Sequence, residues 1–295
     1  MATRYWTNGA GTGVPSTASN WSPSGAPSAG DILIFANSTT GSATSDDIVG
    51  GNYSSLGDMA EIRIGPGFTK AFGSSSAYVR IEASSVVLES SGDVYLDVEC
   101  AAANDKVIVN GTSTGPNALH LRGDIDIVRI LSARGTVSIE STTANSTSSG
   151  NTEVDNLYVT NNSVGKTTIE TAVASMDVLQ LDLGTVENSA PVTTASIYGG
   201  SFKQESTGAI TTLNTYGSST INLEGSGTVT NLNIYDGTVR FRNNASDGLT
   251  VTNCTIYSGL LDLSASMRNV TFTNNIINKG ATLIPPLATT VALTY

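Results

Sequence analysis

The feature that most constrains this chain is a tyrosine-marked repeat in its C-terminal third. In four short segments an isoleucine or threonine precedes a tyrosine, and a glycine follows one or two positions later. The tyrosines are 18, 19 and 22 residues apart, and a degenerate fifth copy lies at 276–280. A repeat of about 20 residues indicates a solenoid, because one coil cannot bury its inward side chains alone whereas stacked coils can. The four tyrosines are Tyr198, Tyr216, Tyr235 and Tyr257.

Short apolar alternations follow the markers, as in the pairs Ile221/Leu223 and Val239/Phe241. Alternation with a period of two indicates a half-buried strand, and a glycine beside each tyrosine provides the backbone freedom that a corner requires. Neither a leucine-rich repeat pattern nor a strict six-residue period occurs. The sequence therefore predicts an all-β fold, a right-handed parallel β-helix with coils of about 20 residues, the hand following the crossover rule.

We expect three regions along the chain. Residues 1–60 form an N-terminal cap with the first coils, residues 61–284 form the β-helix, and residues 285–295 form a C-terminal arm or cap. Pro285 and Pro286 predict the end of the strand ladder because proline has no N–H to donate. The residues after them are apolar and uncharged, so we expect them to pack as a cap or to contact a neighbouring subunit.

Composition removes several classes of function. The chain carries 14 Lys+Arg against 25 Asp+Glu, a formal net charge of -11, which argues against nucleic-acid binding. No apolar run is long enough to span a membrane, and no apolar signal segment follows Met1, so we expect synthesis in a cytoplasm without secretion. Cys100 and Cys254 are far apart in sequence and are predicted to be buried, free thiols.

The N-terminal segment has a character of its own. It combines Trp6, Asn20-Trp21, Pro27 and Gly30-Asp31. Trp6 and Trp21 can cover the first rung of a solenoid, and Asp31 can accept a hydrogen bond from a turn N–H. This W…NW…P…GD arrangement resembles the entry motif of β-solenoid proteins of bacteriophages and of bacterial autotransporter-like passengers. The resemblance implies a capped β-helix with an extracellular or virion role, and the missing signal segment favours the phage branch.

Candidate catalytic groups are few. Glycoside hydrolysis needs two carboxylates in one cleft, and neighbouring rungs of a β-helix could supply them. We interpret the candidate carboxylates as solvated or turn-capping, and His120 has no recognisable cysteine, serine or metal partner by motif. The sequence therefore predicts a protein that is not an enzyme and needs no cofactor or metal. The carboxylate candidates are Asp46, Asp47, Asp124, Asp126, Asp177 and Asp182.

The tyrosine series is the sharpest functional candidate. If the repeats are in register, the rings form a ladder along one edge of the solenoid. Three interpretations stay open: support of a corner, a subunit interface, in which tyrosine is enriched, and a platform for carbohydrate. The interface candidates are Tyr198, Tyr216, Tyr235, Tyr257 and, in the C-terminal arm, Tyr295.

Taken together, these features predict a non-enzymatic structural protein of a bacteriophage virion. We expect a capsid decoration (cement) protein or a short head fibre, homotrimeric, in contact with the major capsid protein or other virion proteins. The alternatives are a tail fibre or tailspike that binds surface glycans, and a bacterial surface adhesin passenger.

Overall fold

The chain folds as an all-β parallel solenoid, which confirms the predicted fold class. The computed structural model describes residues 1–35, 48–111, 119–141, 152–161, 165–170, 173–205, 207–242, 248–264 and 270–285. These residues form 26 β-strands and two short 3-10 turns, with no α-helix among them. They fall into two compact units, Met1–Val154 with Asn162–Lys166 and Asp155–Asn161 with Thr167–Tyr295, which are described separately below.

The first unit contains eleven strands, and its 3-10 turns are Ala18–Asn20 and Ser54–Leu56. The strands are β1 (Thr3–Trp6), β2 (Trp21–Ser22), β3 (Ile32–Phe35), β4 (Gly51–Asn52), β5 (Glu61–Ile64), β6 (Val79–Glu82), β7 (Ser85–Leu88), β8 (Val94–Cys100), β9 (Lys106–Asn110), β10 (Leu119–Ser132) and β11 (Val137–Ile139).

The second unit holds all or most of the residues of the remaining strands. They are β12 (Glu153–Thr160), β13 (Lys166–Ile169), β14 (Met176–Leu183), β15 (Thr185–Asn188), β16 (Val192–Ile197), β17 (Ser201–Gln204), β18 (Ile210–Thr215), β19 (Thr220–Leu223), β20 (Thr228–Ile234), β21 (Thr238–Phe241), β22 (Leu249–Ile256), β23 (Leu260–Asp262), β24 (Val270–Phe272), β25 (Ile276–Asn278) and β26 (Thr282–Ile284).

Within each unit most strands pair in parallel with the strand two positions along the chain, whereas β2 pairs antiparallel with β1, and β25 and β26 pair with β22 and β23. In the second unit one ladder runs through β14, β16, β18, β20 and β22, and the other through β15, β17, β19, β21 and β23. In the first unit β3, β5, β7 and β9 form one ladder, and β4, β6 and β8 another. The long strand β10 joins both, pairing first with β8 and then with β9.

The coil length agrees with the prediction. Val192, Ile210, Val229 and Val251 are successive partners in one ladder, so these coils are 18, 19 and 22 residues long. The right hand of the helix and the three predicted region boundaries stay predictions. Residues 286–295, most of the predicted C-terminal arm, lie outside the described residues.

The core of each unit consists of columns of inward side chains, because strand residues alternate between the two faces of the sheet. One column in the second unit is completely buried and contains Val186, Phe202, Ile221, Val239 and Leu261. The column residues lie on different coils, so burial of each coil depends on its neighbours. Cys100 and Cys254 are also buried and free, as predicted.

The corner after each tyrosine depends on glycine. Gly237 and Gly259 have φ values of 88° and 81°, in the left-handed region that disfavours side chains. A Cβ on Gly259 would also lie 2.4 Å from the carbonyl oxygen of Gly237 on the preceding coil. These corners therefore need glycine both for conformation and for space, which confirms the sequence-based interpretation.

Candidate functional site

The four described tyrosines of the repeat form one continuous column on the second unit. Each follows the last buried residue of its strand, so its side chain points outward, and its N–H donates to a carbonyl oxygen of the preceding coil. Neighbouring ring centroids are 4.7, 4.9 and 4.8 Å apart, with interplanar angles of 8°, 1° and 10°. The predicted ladder is therefore confirmed. Below, "the tyrosine column" means Tyr198, Tyr216, Tyr235 and Tyr257; the predicted contact residue Tyr295 lies outside the described residues.

The tyrosine column presents ring edges and hydroxyl groups, because the faces of its inner rings cover one another. Tyr198, Tyr235 and Tyr257 are 47%, 38% and 39% exposed, whereas Tyr216 is half-buried. Burial raises the pKa of Tyr216, so its hydroxyl stays protonated near neutral pH. Sugars bind aromatic residues through the open ring face, so this stacking disfavours the carbohydrate platform. A row of amphipathic edges instead has the chemistry of a protein interface.

Asparagine side chains form a second ladder on the same unit. Asn274 Nδ2 donates to Asn253 Oδ1 at 2.7 Å, and Asn253 Nδ2 donates to Asn231 Oδ1 at 2.9 Å. Stacked amides of this kind link coils through their outward side chains. Asn231 and Asn253 lie on β20 and β22, the strands that lead into the corners at Tyr235 and Tyr257, so the ladder links these strands from coil to coil.

A polar and aromatic cluster occupies the outer face of the first unit. The carboxylate of Glu140 accepts hydrogen bonds from the Tyr78 hydroxyl at 2.6 Å and from Arg122 at 3.1 Å, and it contacts His120 Nδ1. The His120 ring stacks on Tyr95, with centroids 4.5 Å apart, and the Arg122 guanidinium lies 3.7 Å from the Tyr78 ring centroid. His120 thus has a carboxylate partner that the sequence motif did not reveal.

The charge state of this cluster follows from its contacts. Burial of Glu140 favours the neutral acid, but the hydrogen bonds from His120 and Tyr78 and the charges of His120 and Arg122 outweigh it, and its pKa lies at about 2. Burial and the bond to Glu140 raise the pKa of Tyr78. The cluster links residues up to 62 positions apart, so it acts as a cross-brace between coils.

A dependence of stability on pH follows. The folded-state pKa of Glu140 lies below its ordinary value of 4.5, so its ionised form stabilises the fold. That contribution is complete above pH 4.5 and is lost as the pH falls through about 2. We expect Glu140→Gln to be less stable than wild type at neutral pH and the difference to shrink to near zero at about pH 2. Denaturant unfolding at several pH values measures it. The exposed Glu153→Gln variant serves as the control, and a pH-independent difference would contradict the assignment.

The predicted cap residues are buried together in the first unit. The rings of Trp6 and Trp21 are 5.1 Å apart in an edge-to-face arrangement, and both contact Phe35. Trp21 Nε1 donates to the Pro15 carbonyl at 2.7 Å. The two tryptophans are therefore buried against Phe35 of β3, and their role in covering the first rung stays a prediction.

Asp31 organises the polar side of the cap. Its carboxylate accepts hydrogen bonds from Arg4 Nε at 2.7 Å and from the backbone N–H groups of Ala2 and Ser28 at 2.6 and 3.2 Å. Burial alone would raise its pKa, but these donors outweigh burial and lower the pKa to about 2. The predicted acceptance of a turn N–H by Asp31 is therefore confirmed, and the bond to Arg4 is an addition.

The structure separates most of the predicted carboxylates. Asp124 and Asp126 both point outward from β10, as expected. Asp126 accepts a hydrogen bond from the Asn104 N–H at 2.5 Å, and Asp182 accepts one from Gln180 at 2.9 Å. Asp177 is exposed on β14, and Asp46 and Asp47 lie outside the described residues. These contacts agree with carboxylates that accept a hydrogen bond from a turn N–H or from a neighbouring side chain of the same strand.

One carboxylate has an acidic neighbour on the next coil. Asp124 pairs in register with Glu99 of β8, and both side chains are exposed. Partial burial of its carboxyl group and the charge of Glu99 raise the pKa of Asp124. Adjacent parallel strands are about 4.8 Å apart, close to the carboxylate separation of about 5 Å in retaining glycosidases.

A small cleft of the first unit and the potential metal ligands of the described residues bear on ligand binding. A cleft in the first unit has a volume of about 30 Å³, room for one or two water molecules. Within the described ranges, no group of three or more histidine, cysteine or acidic side chains could hold a metal ion. The part of the chain that the structure describes also contains no helix of the length and apolarity needed to cross a membrane. The cleft is bordered by Leu88, Ser90, Val94, Val109, Leu119, Arg134 and Val137, among others.

No protein-family model, curated protein or solved structure significantly matches this chain. Its function is therefore inferred from its own geometry and chemistry, in which the tyrosine column is the most regular exposed feature.

Proposed function

We propose that this protein is a non-enzymatic structural component of a bacteriophage virion, a capsid decoration (cement) protein or a short head fibre. It acts as a homo-oligomer and contacts the major capsid protein or other virion proteins. In this role the stacked coils of each unit give a rigid frame, and the outward side chains make the contacts. It is made in the host cytoplasm and released with the particle on lysis.

The observation that carries the proposal is the tyrosine column. Four edge-exposed rings at 4.7–4.9 Å spacing form a rigid amphipathic surface, and tyrosine is enriched in protein interfaces because it adds contact area at low entropic cost. Because the rings are already stacked, their side-chain entropy is largely lost before a partner binds. Such a surface suits permanent assembly better than transient capture of a small ligand.

The N-terminal cap supports the virion part of the proposal. Among the residues that resemble the entry motif of phage β-solenoids, Trp6 and Trp21 pack on Phe35, and the buried Asp31 accepts a hydrogen bond from Arg4. A cap that closes one end of a solenoid prevents edge-to-edge aggregation at high local concentration. That property suits a protein displayed in many copies on a particle.

A second candidate is a tail fibre or tailspike that acts on surface glycans. The observation that favours it is the register pairing of Glu99 with Asp124, whose raised pKa would suit a general acid. Two observations count against it. The small cleft of the first unit does not include Glu99 or Asp124 in its lining, and the tyrosine column presents ring edges instead of the open ring faces to which sugars bind. We place it second.

The copy number per particle tests the proposal. We expect quantitative mass spectrometry of purified virions to find this chain in numbers comparable to the major capsid protein, since a decoration protein follows the capsid lattice. The tail tube protein and the portal protein serve as internal references for intermediate and low copy numbers.

The outcomes separate the candidates. A copy number of a few oligomers per particle would overturn the decoration role in favour of a tail fibre or vertex spike. Absence of the chain from purified particles would overturn the virion assignment itself and favour a bacterial surface protein.

A further inference from the structure

The two ends of the tyrosine column carry opposite charges. Ile197 pairs with Leu181, so Asp182 lies one coil before Tyr198 at the position of the column. At the other end, Lys279 Nζ lies 4.5 Å from the ring centroid of Tyr257. The column therefore runs from a carboxylate, through four rings, to an ammonium group, over five coil steps or about 24 Å.

The tyrosines alone do not select a direction for a partner. Rings 4.7–4.9 Å apart leave no room for a partner ring between them, so two columns can meet only edge to edge. Each hydroxyl group both donates and accepts a hydrogen bond, so hydroxyl pairs form equally well in parallel and antiparallel columns. The charged groups at the ends then determine the orientation.

Parallel columns would place like charges together. In that arrangement Asp182 faces Asp182, Lys279 faces Lys279, and the exposed Asp236 beside Tyr235 faces its own copy. In an antiparallel pair, Asp182 of each copy faces Lys279 of the other, and no two of these acidic groups lie opposite each other. Charge complementarity of this kind sets the register of an interface and excludes the alternatives.

We infer that the tyrosine column binds the tyrosine column of a second copy of this chain in antiparallel orientation about a two-fold axis. Tyr216 then lies opposite Tyr235 of the second copy, and two Asp182–Lys279 pairs close the ends. Such an isologous contact closes on itself in pairs. This inference rests on the proposed role of the column as a self-interface but not on the virion assignment, and it departs from the trimer expected from sequence.

Charge reversal tests this arrangement. We expect sedimentation equilibrium of the purified chain to show a dimer, and Lys279→Glu to weaken the dimer about 10-fold or more because both ion pairs become repulsive. The double variant Asp182→Lys/Lys279→Glu exchanges the charges and should recover wild-type affinity to within about three-fold. Arg242→Glu, an exposed cation of the same unit outside the column, is the matched control. Circular dichroism confirms folding of each variant.

Parallel columns would respond to charge reversal in the opposite way. With parallel columns, Lys279→Glu alone would have little effect, and an equimolar mixture of wild type and Lys279→Glu would associate more tightly than either protein by itself. Three results would overturn the inference: this pattern of a weak single-variant effect with tighter mixed association, a wild type that forms a trimer, or a wild type that stays monomeric at all concentrations. Because these measurements use the purified chain, their failure is distinguishable from a negative copy-number result on virions.

Discussion

Replacement of Phe202 by alanine is expected to lower the free energy of unfolding by about 3–5 kcal/mol. Phe202 is completely buried on β17 and lies in the core column between Val186 and Ile221 of the neighbouring coils. Its removal leaves a cavity that stacked coils, held by ladders on both sides, cannot collapse to fill. The loss therefore affects three coils at once.

Urea unfolding followed by far-ultraviolet circular dichroism measures this change. Ser201→Ala, on the same strand and half-buried, is the matched control and should stay within about 0.5 kcal/mol of wild type. A loss below about 1 kcal/mol for Phe202→Ala would mean that Phe202 is not in a close-packed column, which would contradict the solenoid core.

The second large effect is expected at Asp31. Asp31→Ala leaves Arg4 Nε and the backbone N–H groups of Ala2 and Ser28 without their carboxylate acceptor in a part-buried site. Removal of one partner from a buried charged pair typically costs about 3–5 kcal/mol, since the remaining charge stays desolvated. The cap should therefore loosen first in this variant.

Tryptophan fluorescence reports this change directly, because the only two tryptophans, Trp6 and Trp21, both lie in the cap. We expect the fluorescence transition of Asp31→Ala to move to lower urea concentration, whereas Asp177→Ala, an exposed acid, leaves it unchanged. An unshifted transition would show that Asp31 does not hold the cap together.

The fold was predictable because the second unit repeats one chemical marker. Tyr198, Tyr216, Tyr235 and Tyr257 follow each other at nearly constant spacing, and each glycine after them marks a corner. With a constant coil length, sequence spacing converts directly into register. The same spacing therefore also predicted the stacking of the rings.

The cluster around Glu140 could not be predicted, because its residues follow no regular repeat. His120 stacks on Tyr95 across 25 residues, and Tyr78 bonds Glu140 across 62. Coils of unequal length in the first unit leave no constant spacing from which to infer these neighbours. The only signal in the sequence is a histidine within one apolar alternation and a glutamate at the end of the next, and such a signal is common in β-proteins.

The acidic end of the tyrosine column was visible in sequence only as an isolated aspartate. The sequence places Asp182 among the candidate catalytic carboxylates, whereas its position one coil before Tyr198 makes it part of a surface. Lys279 lies within the degenerate fifth copy of the repeat, directly after the asparagine that replaces tyrosine. The order of charges along the column becomes apparent only once the register is known.

The central claim is that the tyrosine column is the assembly surface of this protein, and hydroxyl-radical footprinting tests it most directly. Oxidation of each tyrosine is compared between the isolated, dilute chain and the intact particle, with Tyr5, 42% exposed at the other end of the sequence, as the reference. We predict that Tyr198, Tyr235 and Tyr257 are protected at least several-fold in the particle relative to Tyr5. Equal oxidation of these residues in both states would contradict the claim.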